Sequence, residues 1–573
     1  MITLSQKYLY CILICLLAAL LVFPWQLDRP FYTRGEPREA LVAQAMVKSG
    51  NWILPSVYDG AVPSKPPLTH WVMGAISLLR GEVTEATARA PSALAFILFA
   101  IAFFLFLEKR VGGPKALLSS VILITSVEWL RAGLTTRVDM ALASLMVGGL
   151  LSLYAWKEKE LKGVPYLAIA LLACATLTKG PVGIVLPLLA FCLYLLLTGC
   201  ALRKILVTGL LVFVPVTVVA LIWYKSAYVV GGDAFLDKVL YENVARFMSS
   251  TRDMPHKHSA LYLYATLLIG FMPWVFLVIP GLIVQGVQGG MSGLMLKNIK
   301  AYVRSAPPLF LFALVVVTVT LTFYTVPSSK RGEYLLPVYP FLAFIVADFI
   351  MAAQGQVAKV IKVSLSVFAA LVLVLVGLAC VLHYEWVDLA SLLSKPRQIA
   401  AYEFYLNCLR DLVGGAMWPT ILLFVAALAY LFAAILIPIR VERRGALAVL
   451  GVGAFYSICL LISTSGLPTV ASNFTSRKFA REVQSLVSRE EVLYSFGDAM
   501  YGLSFYLEKN FISTDKQLPG RGFVFSYDKN LERIEEVLQP NQRLHVLRRS
   551  STAVRKPHYR LVLVEITTVD TVT

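Results

Sequence analysis

Arg34, Glu36, Arg38, Glu39, Lys48 and Lys65 all fall within residues 33–71, directly after the first apolar run of the chain. Charge gathered beside a bilayer points to a charged substrate, because ionisable groups at a membrane are costly unless they are used. Glu36 lies between Gly35 and Pro37-Arg38. A carboxylate in the first turn of a helix is favoured by the helix dipole, so an N-terminal helix signal is one reading. The other is a carboxylate at the membrane face that acts as a base or positions sugar hydroxyls. Lys65 precedes Pro66-Pro67, which confines its backbone to an extended conformation, and a pinned ammonium suits a phosphate oxygen. An ordinary loop lysine is the alternative.

Further charges recur along the chain. Arg131, Arg137 and Asp139 bracket the junction of two apolar runs, as an interfacial ion pair or as part of a site. Lys179 stands between two runs otherwise bare of charge, which makes it a functional candidate unless it snorkels to the interface. Arg246 sits among apolar residues in YENVARFMSSTR, a setting that suits a phosphate contact. His256 and His258 follow; their spacing favours a solvated loop, with His256 a weak candidate metal ligand. Lys330, Arg331 and Tyr334 open a later apolar run, the two cations on the side of the membrane where topology does not call for them.

These residues need a membrane scaffold to hold them. The chain has 573 residues, 58% of them hydrophobic, and a mean hydropathy of +0.72. Runs of about 20 apolar residues, each long enough for a hydrocarbon core of about 30 Å, make it a polytopic membrane protein. About thirteen spans are expected, near 7–25, 90–108, 115–131, 138–156, 164–178, 181–198, 205–224, 260–284, 308–326, 335–353, 361–382, 417–438 and 445–464. The first lacks a small-residue cleavage site and reads as a retained span. Lys and Arg cluster in alternate short loops, which places the N-terminus in the cytoplasm and residues 26–89, 225–259, 383–416 and the C-terminal tail outside. The net charge of +18 reflects such loops, a site for anions, or both. No CxxC pair is present, so neither a disulfide framework nor a thiolate metal site is expected.

In the first outer loop, 26–89, residues 36–48 and 68–80 show helical spacing, with Leu41, Ala45 and Met46 on one apolar face and Leu68, Trp71, Val72 and Ala75 on the other. Two helices lying in the interface are expected. Beyond residue 464 the composition shifts to short alternating runs at 491–496, 522–526, 543–548 and 559–566, with helical stretches near 500–508 and 531–538. Residues 465–573 therefore read as a small α/β domain appended to a membrane domain at 1–464, structural or acceptor-docking in role.

Taken together, these pieces resemble the polyprenyl-phosphate-dependent glycosyltransferases of the GT-C fold, in particular the aminoarabinose lipid A transferases and bacterial protein mannosyltransferase-like enzymes. The likeness rests on GEPREALVAQAMVKSGNWILP followed by SKPPLTHW, then Arg137 and Asp139, LTKGP ending at Pro181, NVARF ending at Phe247, Pro273-Trp274, and the KR-x-x-Y-x-LP element from Lys330 to Pro337. It implies thirteen transmembrane helices and a small C-terminal α/β periplasmic domain. It also implies inverting transfer of a sugar from an undecaprenyl-phosphate donor to lipid A, another envelope glycan or a protein, at the periplasmic face of the bacterial inner membrane. Lys65, Arg246 and Arg38 would hold the donor phosphate, Glu36 and Asp139 would be catalytic, and Lys179, Lys330, Arg331 and Tyr334 would line the cavity. Three positions depart from the family pattern: Gly35 replaces the first acid of an Asp-Glu pair, Ser64 a Glu, and Asn243 a His. The last two are positions where the resemblance implies a divalent metal, so the family's own metal site is not expected, and a divalent metal held elsewhere, with His256 as a ligand, is the alternative. The expected partners are the lipid-linked donor, the acceptor and membrane lipid, with no nucleic acid, and the protein is expected to be a monomer. A transporter or flippase of a polyprenyl-linked sugar is the rival class; it would show repeat symmetry and broken helices at midplane.

Overall fold

The structure is a computed structural model. It describes residues 3–22, 29–245, 258–288, 305–352, 355–384, 396–414, scattered positions between 425 and 433, and 444–568 apart from 489, 515–517 and 555. Arg246, His256 and most of the expected span at 417–438 lie outside the described residues.

Helix α1 (Leu4–Val22) buries Ile14, Ala18, Leu21 and Val22 and leaves Leu9, Ile12 and Leu16 exposed. That division recurs on the outer helices, and exposed apolar surface of this extent fits a lipid environment. Next come α2 (Gly35–Ser49) and α3 (Leu68–Arg80), the two helices expected in the first outer loop. On α3 the expected apolar face points outward: Val72, Leu78 and Leu79 are exposed, and the buried side carries Thr69, His70, Met73, Gly74 and Ser77. A polar face turned inward and an apolar face turned out is the arrangement of a helix lying against lipid.

Helix α4 (Glu85–Val111) starts on a reciprocal cap between Thr84 and Thr87. The expected span at 115–131 is instead a broken pair, α5 (Gly113–Ile124) and α6 (Val127–Gly133), bent by 69°. At the break the hydroxyls of Thr125 and Ser126 turn back onto the carbonyls of Val121 and Ile122, so the backbone hands its acceptors to side chains. After α7 (Val138–Glu158), α8 (Tyr166–Lys179) and α9 (Val182–Leu197) are two short helices separated at Gly180-Pro181. Helix α10 (Leu202–Leu240) runs well past the expected end at 224, with its one non-helical residue at Gly232. Helices Ala260–Gly270 and Val275–Gln288 share the span expected at 260–284, and helix Pro396–Gly414 lies in what reads as an outer loop.

Among the described residues, seven helices are long and apolar enough to cross a membrane, eight if the bent pair is one span. The chain is thus a polytopic helical membrane protein. Its core is aromatic, with Phe96, Phe103, Phe104, Trp129, Phe191, Phe312, Phe341 and Phe455 buried together.

The C-terminal region forms a five-stranded mixed sheet of order β2-β1-β3-β5-β4: β1 (Leu493–Phe496), β2 (Phe511–Thr514), β3 (Gly522–Tyr527), β4 (Gln542–Val554) and β5 (Lys556–Thr568). Strands β1, β2 and β3 pair in parallel; β5 runs antiparallel between β3 and β4. Four of the five strands match alternating runs in the sequence. Strand β2 does not, because only four residues pair and Ile512 faces outward. Helices Tyr501–Leu507 and Leu531–Val537 stand where expected. The sheet region rests on the first outer loop: the Tyr506 hydroxyl accepts from Phe31 N–H at 2.9 Å and donates to Glu85 at 3.0 Å, while the Tyr58 hydroxyl donates to Ser495 at 2.5 Å.

Candidate active site

The site begins at α2. Thr33 Oγ1 accepts from the Glu36 N–H at 3.3 Å, and the Glu36 carboxylate accepts from the Thr33 N–H at 3.4 Å, a reciprocal cap that fixes the start of the helix. Glu36 differs from the expectation of a free acid. It is 0% exposed, and its carboxylate accepts from Arg89 Nε at 2.9 Å. The Arg89 guanidinium also donates to the carbonyls of Arg29 and Pro30. Burial alone would raise the Glu36 carboxyl, but the Arg89 and Arg29 charges hold it below its ordinary value. This geometry ties the loop to α4 and leaves no carboxylate oxygen facing a ligand.

Glu39, one turn further on, faces the other ionisable groups of the loop. It accepts from Arg38 Nη2 at 2.8 Å and from the Lys65 ammonium, and it meets His70 Nε2 at 3.0 Å. Its carboxyl lies well below the ordinary value: burial opposes ionisation, and the Lys65 and Arg38 charges overcome that opposition. Burial pulls Lys65 down to about 8, with Glu39 holding it up and Arg38 pushing it lower. Asp139 lies within electrostatic reach of Lys65, which joins this group to the next.

That next group is an alternating chain of charge. Asp139, in the first turn of α7, accepts from the Lys179 ammonium and from Arg137 Nε at 3.2 Å. Arg137 reaches Glu333 at 3.1 Å, and Arg131, paired with Glu128, lies 3.8 Å from Glu333. The Lys179 ammonium stands 4.8 Å from the centre of the Tyr334 ring, which stacks on Tyr324 at 5.1 Å. The α8–α9 break delivers Lys179. Gly180 has φ of 90°, and a Cβ there would meet Asn243 Oδ1 at 3.0 Å and Tyr224 hydroxyl at 3.1 Å, so only glycine fits the turn.

The structure therefore gathers Arg38, Lys65, Asp139, Lys179 and Tyr334. Lys330 is buried and donates to the Pro327 carbonyl at 2.5 Å; Arg331, beside it, is half-buried. Sequence reasoning gave no role to Glu39, His70 or Glu333. Two of them had a signal: Glu39 is three residues from Glu36 and shares its helix face, and Glu333 lies inside the KRGEY element. His70 carries none, since an isolated histidine in an amphipathic helix does not reveal its partner.

Comparison with known proteins places this geometry. Residues 64–223 match the family of dolichyl-phosphate-mannose-protein mannosyltransferases. The undecaprenyl phosphate-alpha-4-amino-4-deoxy-L-arabinose arabinosyl transferase of Shewanella sediminis is 26% identical over 58% of this chain and 58% of its own length. The chain thus spans under two thirds of that relative. The crystal structure of ArnT from Cupriavidus metallidurans in the apo state superposes with a TM-score of 0.71 over 98% of both chains, at 18% identity. The same protein bound to undecaprenyl phosphate gives 0.69 over 98% of this chain and 97% of that one. This is the fold of ArnT. The chain resembles the polyprenyl-phosphate-dependent glycosyltransferases of the GT-C fold in both motifs and architecture.

Within that fold the departures take on geometry. A Cβ on Gly35 would touch the Arg137 guanidinium at 3.5 Å, so an acid at position 35 would sit on Arg137; here Glu333 and Asp139 are its carboxylate partners. Asn243 donates to the Val239 carbonyl at 2.9 Å. Ser64 and Asn243 offer a hydroxyl and an amide, uncharged donors that do not fit a divalent ion as imidazole and carboxylate would.

Proposed function

We propose that the chain is an inverting glycosyltransferase of the bacterial inner membrane. It moves a sugar from an undecaprenyl-phosphate-type donor to lipid A, another envelope glycan or a protein at the periplasmic face. The observation that carries this reading is the meeting of a cationic pair, Arg38 and Lys65, with a paired carboxylate, Asp139, among elements drawn from α2, the loop before α3, α7 and α8. The ArnT neighbour bound to undecaprenyl phosphate and the relatives named as undecaprenyl phosphate arabinosyl transferases support the donor class.

In this mechanism the acceptor oxygen attacks the anomeric carbon as the bond from that carbon to the phosphate oxygen breaks. The lipid phosphate leaves with the bonding electrons. Lys65 and Arg38 stabilise the charge that develops on it, the role of preorganised donors at a leaving group. Asp139, paired with Lys179 and Arg137, orients the sugar and takes the proton of a hydroxyl acceptor; an acceptor phosphate, already ionised near neutral pH, needs no base. Tyr334 supplies a wall of the cavity. Glu36 acts at one remove, by fixing α2 against α4. Residues 1–464 carry the chemistry, and 465–573 form a periplasmic domain against the first outer loop.

The test is transfer of radiolabel from undecaprenyl-phosphate sugars to membrane extract by purified protein. Label moves in the wild type, and Lys65→Ala and Asp139→Asn lower turnover by about 10² or more. Donor translocation across liposomes without label transfer from any donor would sink the enzyme reading.

A further inference from the structure

Glu39 sits at the centre of the phosphate-binding group, yet a site for an anion gains nothing from a carboxylate of its own. It is 4% exposed and is approached from α2 by Arg38, from the following loop by Lys65 and from α3 by His70. His70 is 1% exposed, its Nε2 meets the Glu39 carboxylate at 3.0 Å, and its Nδ1 has no hydrogen-bond partner among the described residues. Two cations against one carboxylate leave a single positive charge. Lys238 and Glu242, which face Arg38, add one charge of each sign. Asp139 and Glu333 are balanced by Lys179 and Arg137.

A lipid-linked sugar phosphate is a diester with one negative charge. Once the sugar is transferred, the lipid phosphate is a monoester, whose second proton leaves at about pH 6 and whose charge then approaches −2. We propose that Glu39 is a specificity-determining residue that matches the site to the singly charged diester donor and limits its hold on the doubly charged monoester product, thereby promoting product release. This rests on the donor reading above. Without Glu39 the same cations would attract both lipids more strongly, and because Coulomb energy scales with ligand charge the monoester would gain about twice as much.

The experiment compares the donor KM with the inhibition constant of undecaprenyl phosphate in full-length wild type, Glu39→Gln and Glu39→Asp. In Glu39→Gln the ratio of inhibition constant to KM falls by roughly tenfold, a change of ~1.4 kcal/mol. Glu39→Asp keeps the wild-type ratio. A ratio unchanged in Glu39→Gln, or KM and inhibition constant rising together, overturns the proposal. A second measurement needs no turnover: binding of undecaprenyl phosphate and of its methyl diester to wild type and Glu39→Gln at pH 5.5 and 7.5. As the monoester takes its second charge it gains less ground on the diester in wild type than in Glu39→Gln; an equal gain in both overturns the proposal. Absence of sugar transfer by wild type would refute the enzyme reading, whereas the binding comparison tests Glu39 on its own.

Discussion

Glu36 and Glu39 lie one helical turn apart on α2, both buried, and their partners separate what they do. Glu36 is enclosed with Arg89, and breaking a buried ion pair by removing one partner costs about 3–5 kcal/mol. Glu36→Ala therefore lowers the melting temperature and the yield of folded protein, and turnover per folded molecule falls less than in Asp139→Asn; melting curves in detergent beside turnover check this. Lys65 gives a pH signature. Its ammonium, pulled down to about 8 by burial, loses its proton as pH rises through that value. The phosphate then loses a cation, so donor KM climbs above pH 8 while it stays flat below; a KM–pH profile reads it, and a flat profile to pH 9.5 would rule Lys65 out as a titrating contact. Glu36 and Lys65 were legible in the sequence as charges at a membrane mouth. Which partners each α2 acid would take was not, because Arg89 lies 53 positions from Glu36 and Lys65 lies 26 positions from Glu39.

Breaks in helices position the site more than helices do. The α8–α9 turn presents Lys179 to Asp139 only while Gly180 keeps its positive φ. Gly180→Ala strains that turn by about 1–3 kcal/mol and pushes a methyl toward Asn243 and Tyr224. Turnover falls with donor KM little changed, since Lys65 and Arg38 stand on other elements; steady-state kinetics with a melting control separates the two effects. Pro181 marked this break in the sequence. The bend between α5 and α6 had no such mark, because Thr125 and Ser126 continue an apolar run and break it through their own hydrogen bonds to the preceding turn.

At the scale of the molecule, the C-terminal sheet region is joined to the loop that carries α2 and α3. Tyr506 links Phe31 and Glu85, Tyr58 reaches Ser495, and Lys48 pairs with Glu508 at 2.6 Å. Tyr506→Phe removes two hydrogen bonds at a buried junction and costs about 1–3 kcal/mol. Hydrogen exchange at residues 29–34 and 85–88 speeds up in the variant; unchanged exchange there would show that the two regions are not coupled through this tyrosine.

The sequence by itself determined the membrane class, the two helices between the first and second apolar runs, the alternating strands of the C-terminal region and the charged residue types that gather beside the membrane. These follow from hydropathy, periodicity and motif order, all local along the chain. Only the tertiary structure decided that Glu36 belongs to Arg89, that Glu39 faces both Lys65 and His70, and that Glu333 takes the arginine beside Gly35. Each of those pairings joins distant segments or depends on which side of a helix is buried, and electrostatic partners are chosen by distance in space after packing has set it.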